Sequence, residues 1–179
     1  MATVAYTGYY ETIMVQGGMT TTEVNTALFI YPLAGAVIAL LVGIGSDKLG
    51  RRPTGIVTAL TAFVFLFLFI IVSGFNANPY LVGVLYGIEM TAFGRYGDTL
   101  RLVFQESCPT QIRASGMIGM ALFSVVGSIL GNMIPILLVM VFPVSYVCLV
   151  WGGIMFGIST IVFVVNAKET KGIELNEVK

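Results

Sequence analysis

Four long apolar stretches without a charged residue constrain the fold of this chain more than any other feature. They cover residues 26–45, 55–74, 114–142 and 144–166, and a fifth stretch, 80–105, is apolar but carries charges. Each has about the 20 residues that a helix needs to cross a bilayer. Because hydrocarbon leaves unpaired backbone groups without partners, such stretches fold as helices. The sequence therefore predicts an all-α membrane protein, a helical bundle with at least five spans and the lipid bilayer as its partner.

The composition agrees with this prediction and argues against several classes of function. Hydrophobic residues make up 57% of the 179 residues and charged residues only 10%, too few to keep such a globule in solution. Nine basic and nine acidic residues balance, so no basic surface points to nucleic acid. The chain has no histidine, and its cysteines, Cys108 and Cys148, are far apart in the sequence. We therefore expect no metal site, no cofactor and no enzyme activity.

The basic residues predict the orientation of the bundle. We number the five spans in chain order, so that residues 80–105 form span three. The basic residues occur between spans one and two, between spans three and four, and after span five: Lys48, Arg51, Arg52, Arg113, Lys168, Lys171 and Lys179. The opposite connections, near residues 76–79 and at Pro143, contain none. Since basic residues concentrate on the inner side, the 167–179 tail is predicted to be cytoplasmic. We expect a multi-pass protein of the plasma (inner) membrane.

The first 25 residues are interpreted as the end of a truncated helix followed by an external loop. Residues 2–15 are apolar and aromatic but too short to span a bilayer. The following turn offers Thr21 or Thr22 as a cap for the next helix. An interfacial start to a complete small protein is the alternative interpretation.

Three charged motifs lie on the predicted cytoplasmic side. They read GIGSDKLGRR at 43–52, ESCPTQIRASG at 106–116 and ETKG at 169–172, with Leu175 and Glu177 beyond the last. Their spacing and order resemble the major facilitator superfamily. The first is similar to the loop between helices two and three of each six-helix half. The second is similar to the segment after the fourth helix of the carboxy-terminal half, and the third to the tail of sugar porters and their organic-ion relatives.

The resemblance implies half of a major-facilitator fold, with five full spans and the end of a sixth. It implies an amino-terminal six-helix half as the missing partner. It also implies a cytoplasmic network that keeps the inside closed while the outside is open. In that network carboxylates pair with arginines: Asp47, Glu106 and Glu169 with some of Arg51, Arg52 and Arg113.

The third span contains four ionisable residues, which are costly at membrane depth and suggest function. Arg95, Asp98 and Arg101 are spaced three apart and can neutralise one another as a structural ladder near the cytoplasmic side. Arg95 is also a candidate clamp for a carboxylate or phosphate. Glu89 lies near mid-membrane and has no charged residue within one turn that can pair with it. Tyr86, Phe93 and Tyr96 share its predicted face, an environment that suits a proton-coupling group or a cation contact.

Weaker candidates for solute contact are Tyr9 and Tyr10 in the first helix and Asn132 in the fourth span. Together these features predict a secondary transporter that moves a small polar solute, such as a sugar, by alternating access with proton coupling. An organic-anion, organic-cation or drug carrier is the alternative within transport. A membrane scaffold without transport of its own is the alternative outside it.

Overall fold

The structure, a computed structural model, describes residues 3–75, 78–109 and 111–166. Six α-helices and no strand occur within these ranges. The helices are α1 (Thr3–Gln16), α2 (Thr21–Leu49), α3 (Arg51–Ser73), α4 (Pro79–Ser107), α5 (Arg113–Val139) and α6 (Val144–Asn166). Glu169 and the rest of the tail predicted to be cytoplasmic lie outside the described residues.

Local signals explain where α2 begins and ends. The Thr20 side chain accepts a hydrogen bond from the Glu23 backbone, and the Glu23 side chain accepts one from the Thr20 backbone. This capping box starts the helix five residues before the predicted span, so the expectation of Thr21 or Thr22 as the cap was wrong. At the other end Gly50 has a φ of 109°, which separates α2 from α3. Only glycine adopts such a conformation readily.

Four helices in the described part of the chain, α2, α3, α5 and α6, are long and apolar enough to cross a membrane. The α4 helix is 29 residues long, as long as α2, but it carries the charges of the predicted third span. Its close packing along α2 and α3 places it in the same bundle.

The α4 helix lies parallel to α2 in a fixed register. A Cβ added at Gly83 would come 2.7 Å from the carbonyl oxygen of Ala27, and one added at Gly87 would overlap the carbonyl oxygen of Tyr31. Gly35 in turn faces Thr91, so the residue numbers differ by 56 in all three pairs. The missing side chains allow the backbones to touch. Charged residues mark both ends of the apolar part of α2. The register therefore gives the position of each α4 residue relative to the middle of that part.

Buried side chains form two clusters that follow one another along the bundle axis. The outer cluster contains Tyr10, Phe69, Tyr86 and Cys148, and the inner one contains Ala92, Tyr96, Phe156 and Phe163. The α5 helix contributes little, since Pro135 is its one residue classed as buried. The boundary between the clusters lies at Glu89.

Candidate functional site

Glu89 is a buried carboxyl group that receives a hydrogen bond from another helix. Its residue is 3% exposed, and the Tyr10 hydroxyl of α1 donates to its Oε2 at 2.8 Å. Among the described residues no lysine or arginine forms an ion pair with it. A buried carboxyl without a cationic partner is costly in its charged form, and such groups mark functional positions in membrane proteins.

Aromatic rings surround this carboxyl and leave a small cavity beside it. Tyr10 packs edge-on against Phe69 with 5.0 Å between ring centroids and lies 4.5 Å from the Tyr86 ring. A small, partly open pocket adjoins Glu89. Its walls come from α1, α3, α4 and α6: Tyr10, Leu66, Met90, Phe93, Gly152 and Phe156.

The structure corrects one part of the predicted aromatic wall. Phe93 lines the cavity, but Tyr96 lies in the inner cluster, where its hydroxyl is 2.9 Å from that of Ser159. Two turns of helix separate Glu89 from Tyr96, which explains why a shared face did not bring them together. The missed contributors from other helices are Leu66 of α3 and Gly152 and Phe156 of α6. No local pattern near Glu89 could have revealed them, because they arrive by tertiary packing.

The register between α2 and α4 gives the depth of Glu89. Residues 24–46 of α2 are uncharged and centred on Gly35. Gly35 is level with Thr91 of α4, so Glu89 lies two residues, about 3 Å, from the centre. Glu89 is thus level with the middle of the uncharged stretch of α2, and its place near mid-membrane stays a prediction.

The other candidates for solute contact lie in different places. Tyr9 is partly buried and packs against the outer cluster beside Tyr10. Asn132 lies on α5, where its side-chain amide donates to the Ser128 carbonyl of its own helix at 2.6 Å. The structure thus brings Tyr9 and Tyr10 to the Glu89 region and leaves Asn132 outside it.

Arg95 lies on the opposite face of α4, in what we call the charged stripe: Arg95, Asp98 and Arg101. Asp98 Oδ2 is 3.2 Å from an Arg95 nitrogen, and Asp98 Oδ1 is 3.8 Å from an Arg101 nitrogen. All three side chains are between 44% and 50% exposed. The stripe therefore presents charge on a free face of a helix in a membrane bundle.

A second charged group joins three helices at the end of the bundle that is predicted to be cytoplasmic. Arg51, at the start of α3, lies 3.2 Å from Asp47 of α2 and 3.5 Å from Glu106 of α4. Its guanidinium also donates to the Ser46 hydroxyl at 2.9 Å. The side chains of Arg51 and Glu106 are each 25% exposed, whereas Asp47 is 80% exposed. The contact with Glu106 is therefore the one that water weakens least.

The two other arginines of the predicted network bind backbone carbonyls. Arg52 donates to Val164 near the end of α6 at 2.7 Å, and Arg113 donates to Cys108 at the end of α4 at 3.1 Å. Carbonyls at helix ends lack intrahelical donors, so these contacts satisfy them. The structure thus joins Asp47, Arg51 and Glu106 directly, and their part in closing the inside stays a prediction.

Comparison with known proteins agrees with this architecture. The family model described as sugar (and other) transporter matches residues 2–179, which is nearly the whole chain. No curated protein matches the chain. The long apolar helices fit an integral membrane protein. Because this match covers nearly the whole chain and the described residues form a helical bundle, the chain belongs to the sugar transporter family of the major facilitator superfamily.

Proposed function

We propose that the protein is a secondary transporter that moves a small polar solute by alternating access, with Glu89 as the group that carries the coupled proton. The supporting observation is a carboxyl group near mid-membrane, 3% exposed and hydrogen-bonded by Tyr10 of another helix. A protonated carboxyl can be buried at much lower cost than a carboxylate. A cycle of proton binding and release would therefore change the stability of the closed pocket.

The contact with Tyr10 connects this group to the movement of helices. Tyr10 belongs to α1 and Glu89 to α4, while Phe156 of α6 borders the same cavity. Rotation of α1 away from α4 would break the hydrogen bond and admit water to the carboxyl. Loading and release of a proton would then alternate with opening of the bundle.

The Glu89→Gln variant tests this role in proteoliposomes that contain the full-length gene product. A panel of labelled sugars, sugar acids and organic cations first identifies a transported solute. We expect the variant to lose uptake driven by an imposed proton gradient, because an amide cannot carry the proton. It should retain exchange of labelled for unlabelled solute, which needs no net proton movement. Unchanged gradient-driven uptake would remove Glu89 from the coupling role.

The same panel separates the competing functions. A sugar as solute agrees with the family, whereas uptake of organic anions or cations alone supports the ion-carrier alternative. If no solute of any class is transported by the folded protein, the scaffold interpretation gains support.

Arg51, with Asp47 and Glu106, is proposed to close the cytoplasmic side during the transport cycle.

A further inference from the structure

The charged stripe has no part in the proton-carrying role of Glu89, yet it presents three charged side chains on one face of α4. Arg95, Asp98 and Arg101 are 47%, 50% and 44% exposed. The opposite face of the helix, with Ala92 and Tyr96, is buried in the bundle. The stripe therefore faces away from the packed helices.

Its depth disfavours hydrocarbon as the covering, most strongly at Arg95. By the register with α2, Arg95 is level with residue 39 and Arg101 with residue 45. The stripe therefore begins about 6 Å from the membrane centre and reaches about 15 Å from it. Charged side chains at such depths face water, a polar ligand or another polar segment. The net charge of the stripe indicates which of these three covers it.

Two arginines share a single aspartate, which leaves one positive charge in excess. Among the described residues no second acid pairs with either arginine. Each guanidinium has five N–H donors, and the Arg95 side chain uses one of its nitrogens to reach Asp98. The remaining donors can bind a further anion in the two-pronged geometry that suits carboxylates and phosphates.

The backbone beside the arginines is open to an approaching molecule. A Cβ placed on Gly94 or Gly97 would meet nothing within 4 Å in the described part of the chain. Gly94 directly precedes Arg95, and Gly97 directly precedes Asp98. A ligand can therefore come close to the helix between the two guanidinium groups.

We propose that the charged stripe binds a solute that carries one carboxylate or phosphate group, and that Asp98 holds both arginines while no solute is bound. Asp98 lies between them and attracts the same guanidinium groups that the anion would use. Binding then requires the solute to compete with Asp98, which keeps affinity moderate and release fast. This inference rests on the proposed transport function, because the solute reaches the charged stripe only along a transport pathway inside the protein.

Calorimetric titration of the full-length gene product in nanodiscs tests the proposal. The probes are gluconate, glucose 6-phosphate and neutral glucose, which share a carbon skeleton and differ in charge. We expect one or both anions to bind at least about tenfold more tightly than glucose, because only they can use the arginine donors. Tighter binding of gluconate identifies a carboxylate site, and tighter binding of glucose 6-phosphate a phosphate site. Equal binding of all three, or of none, would overturn the proposal.

Variants of the stripe show whether the arginines hold the anion. Arg95→Gln and Arg101→Gln should each weaken anion binding about tenfold, whereas Asp98→Asn should strengthen it by a similar factor. Leu102→Ala, on the same face, should leave it unchanged. If a glutamine variant does not fold, Arg95→Lys and Arg101→Lys retain the charge and should still weaken binding severalfold.

The alternative is that an acidic side chain of another protein segment covers the stripe. In that case Asp98→Asn would change thermal stability without increasing anion affinity, which contradicts the proposal. The experiment is independent of Glu89, because it measures binding without a proton gradient. Proton coupling can therefore fail while the anion site stands, and the reverse also holds.

Discussion

At the scale of single residues, Glu89 shows how far a local pattern can predict a site. Its depth and lack of a charged neighbour within one turn follow from the sequence of α4 alone. Its hydrogen-bond donor does not, because Tyr10 is 79 residues away in the sequence. The pair of tyrosines at 9 and 10 suggested solute contact, and only the fold shows which of the two hydroxyls reaches the carboxyl.

This difference between neighbouring tyrosines gives a matched test. Tyr10→Phe removes the hydroxyl that donates to Glu89 and leaves a buried carboxyl oxygen without that donor. We expect a loss of about 1–3 kcal/mol in unfolding free energy, together with altered pH dependence of uptake. Tyr9→Phe is the control, since the Tyr9 ring packs against the outer cluster without such a bond. Equal effects of both variants on thermal melting and on the pH dependence of uptake would contradict the assigned contact.

At the scale of helices, the apolar pattern predicted the long helices, and side-chain chemistry at the termini determined where α2 and α4 start. The Thr20–Glu23 capping box moved the start of α2 to Thr21, outside the apolar stretch. Similarly, Asn78 caps α4 by accepting a hydrogen bond from the Tyr80 backbone at 2.9 Å. Hydropathy finds the part of a helix that lies in lipid, whereas caps extend it into the headgroup region.

The register between α2 and α4 predicts opposite effects for two glycines of the same helix. Ala at position 87 would overlap the Tyr31 carbonyl and place its Cβ 2.9 Å from that of Ala34. We expect Gly87→Ala to destabilise the protein by roughly 1–3 kcal/mol, because the two backbones must separate.

Gly94→Ala is the control for this prediction, since a Cβ there meets nothing within 4 Å. It should be neutral or stabilising by up to about 1 kcal/mol, as alanine favours the helix. Thermal melting in detergent measures both variants. If Gly87→Ala melts as late as Gly94→Ala, the close contact with α2 is wrong.

At the scale of the whole molecule, the positive-inside pattern and the motifs predicted one charged end, and the structure gathers several of these groups there. Arg51 contacts Asp47 and Glu106, while Arg52 and Arg113 bind carbonyls at the ends of α6 and α4. The motif resemblance could name the charged groups. It could not assign their partners, because an arginine satisfies carboxylates and helix ends with the same donors.

Cys108 provides a native probe for the proposed closing of this end. It follows α4 and is partly buried, whereas Cys148 is 3% exposed. In a Cys148→Ser background, Arg51→Gln should raise the maleimide labelling rate of Cys108 severalfold, because the contact with Glu106 no longer holds α3 against α4. Arg51→Lys should restore part of the protection. Unchanged labelling and unchanged uptake in Arg51→Gln would argue against a closing role.

The weak attachment of α5 affects how the protein must be handled. Phe123, at 81% exposed, and Leu122, at 64%, typify a helix whose apolar surface meets few neighbours within the described bundle. Its position therefore depends on the surrounding lipid or on further helices rather than on contacts with the other described helices. Short-chain detergents should displace α5 before they unfold the α2–α4 pair. Purification in lipid-like media should therefore preserve the native position of α5.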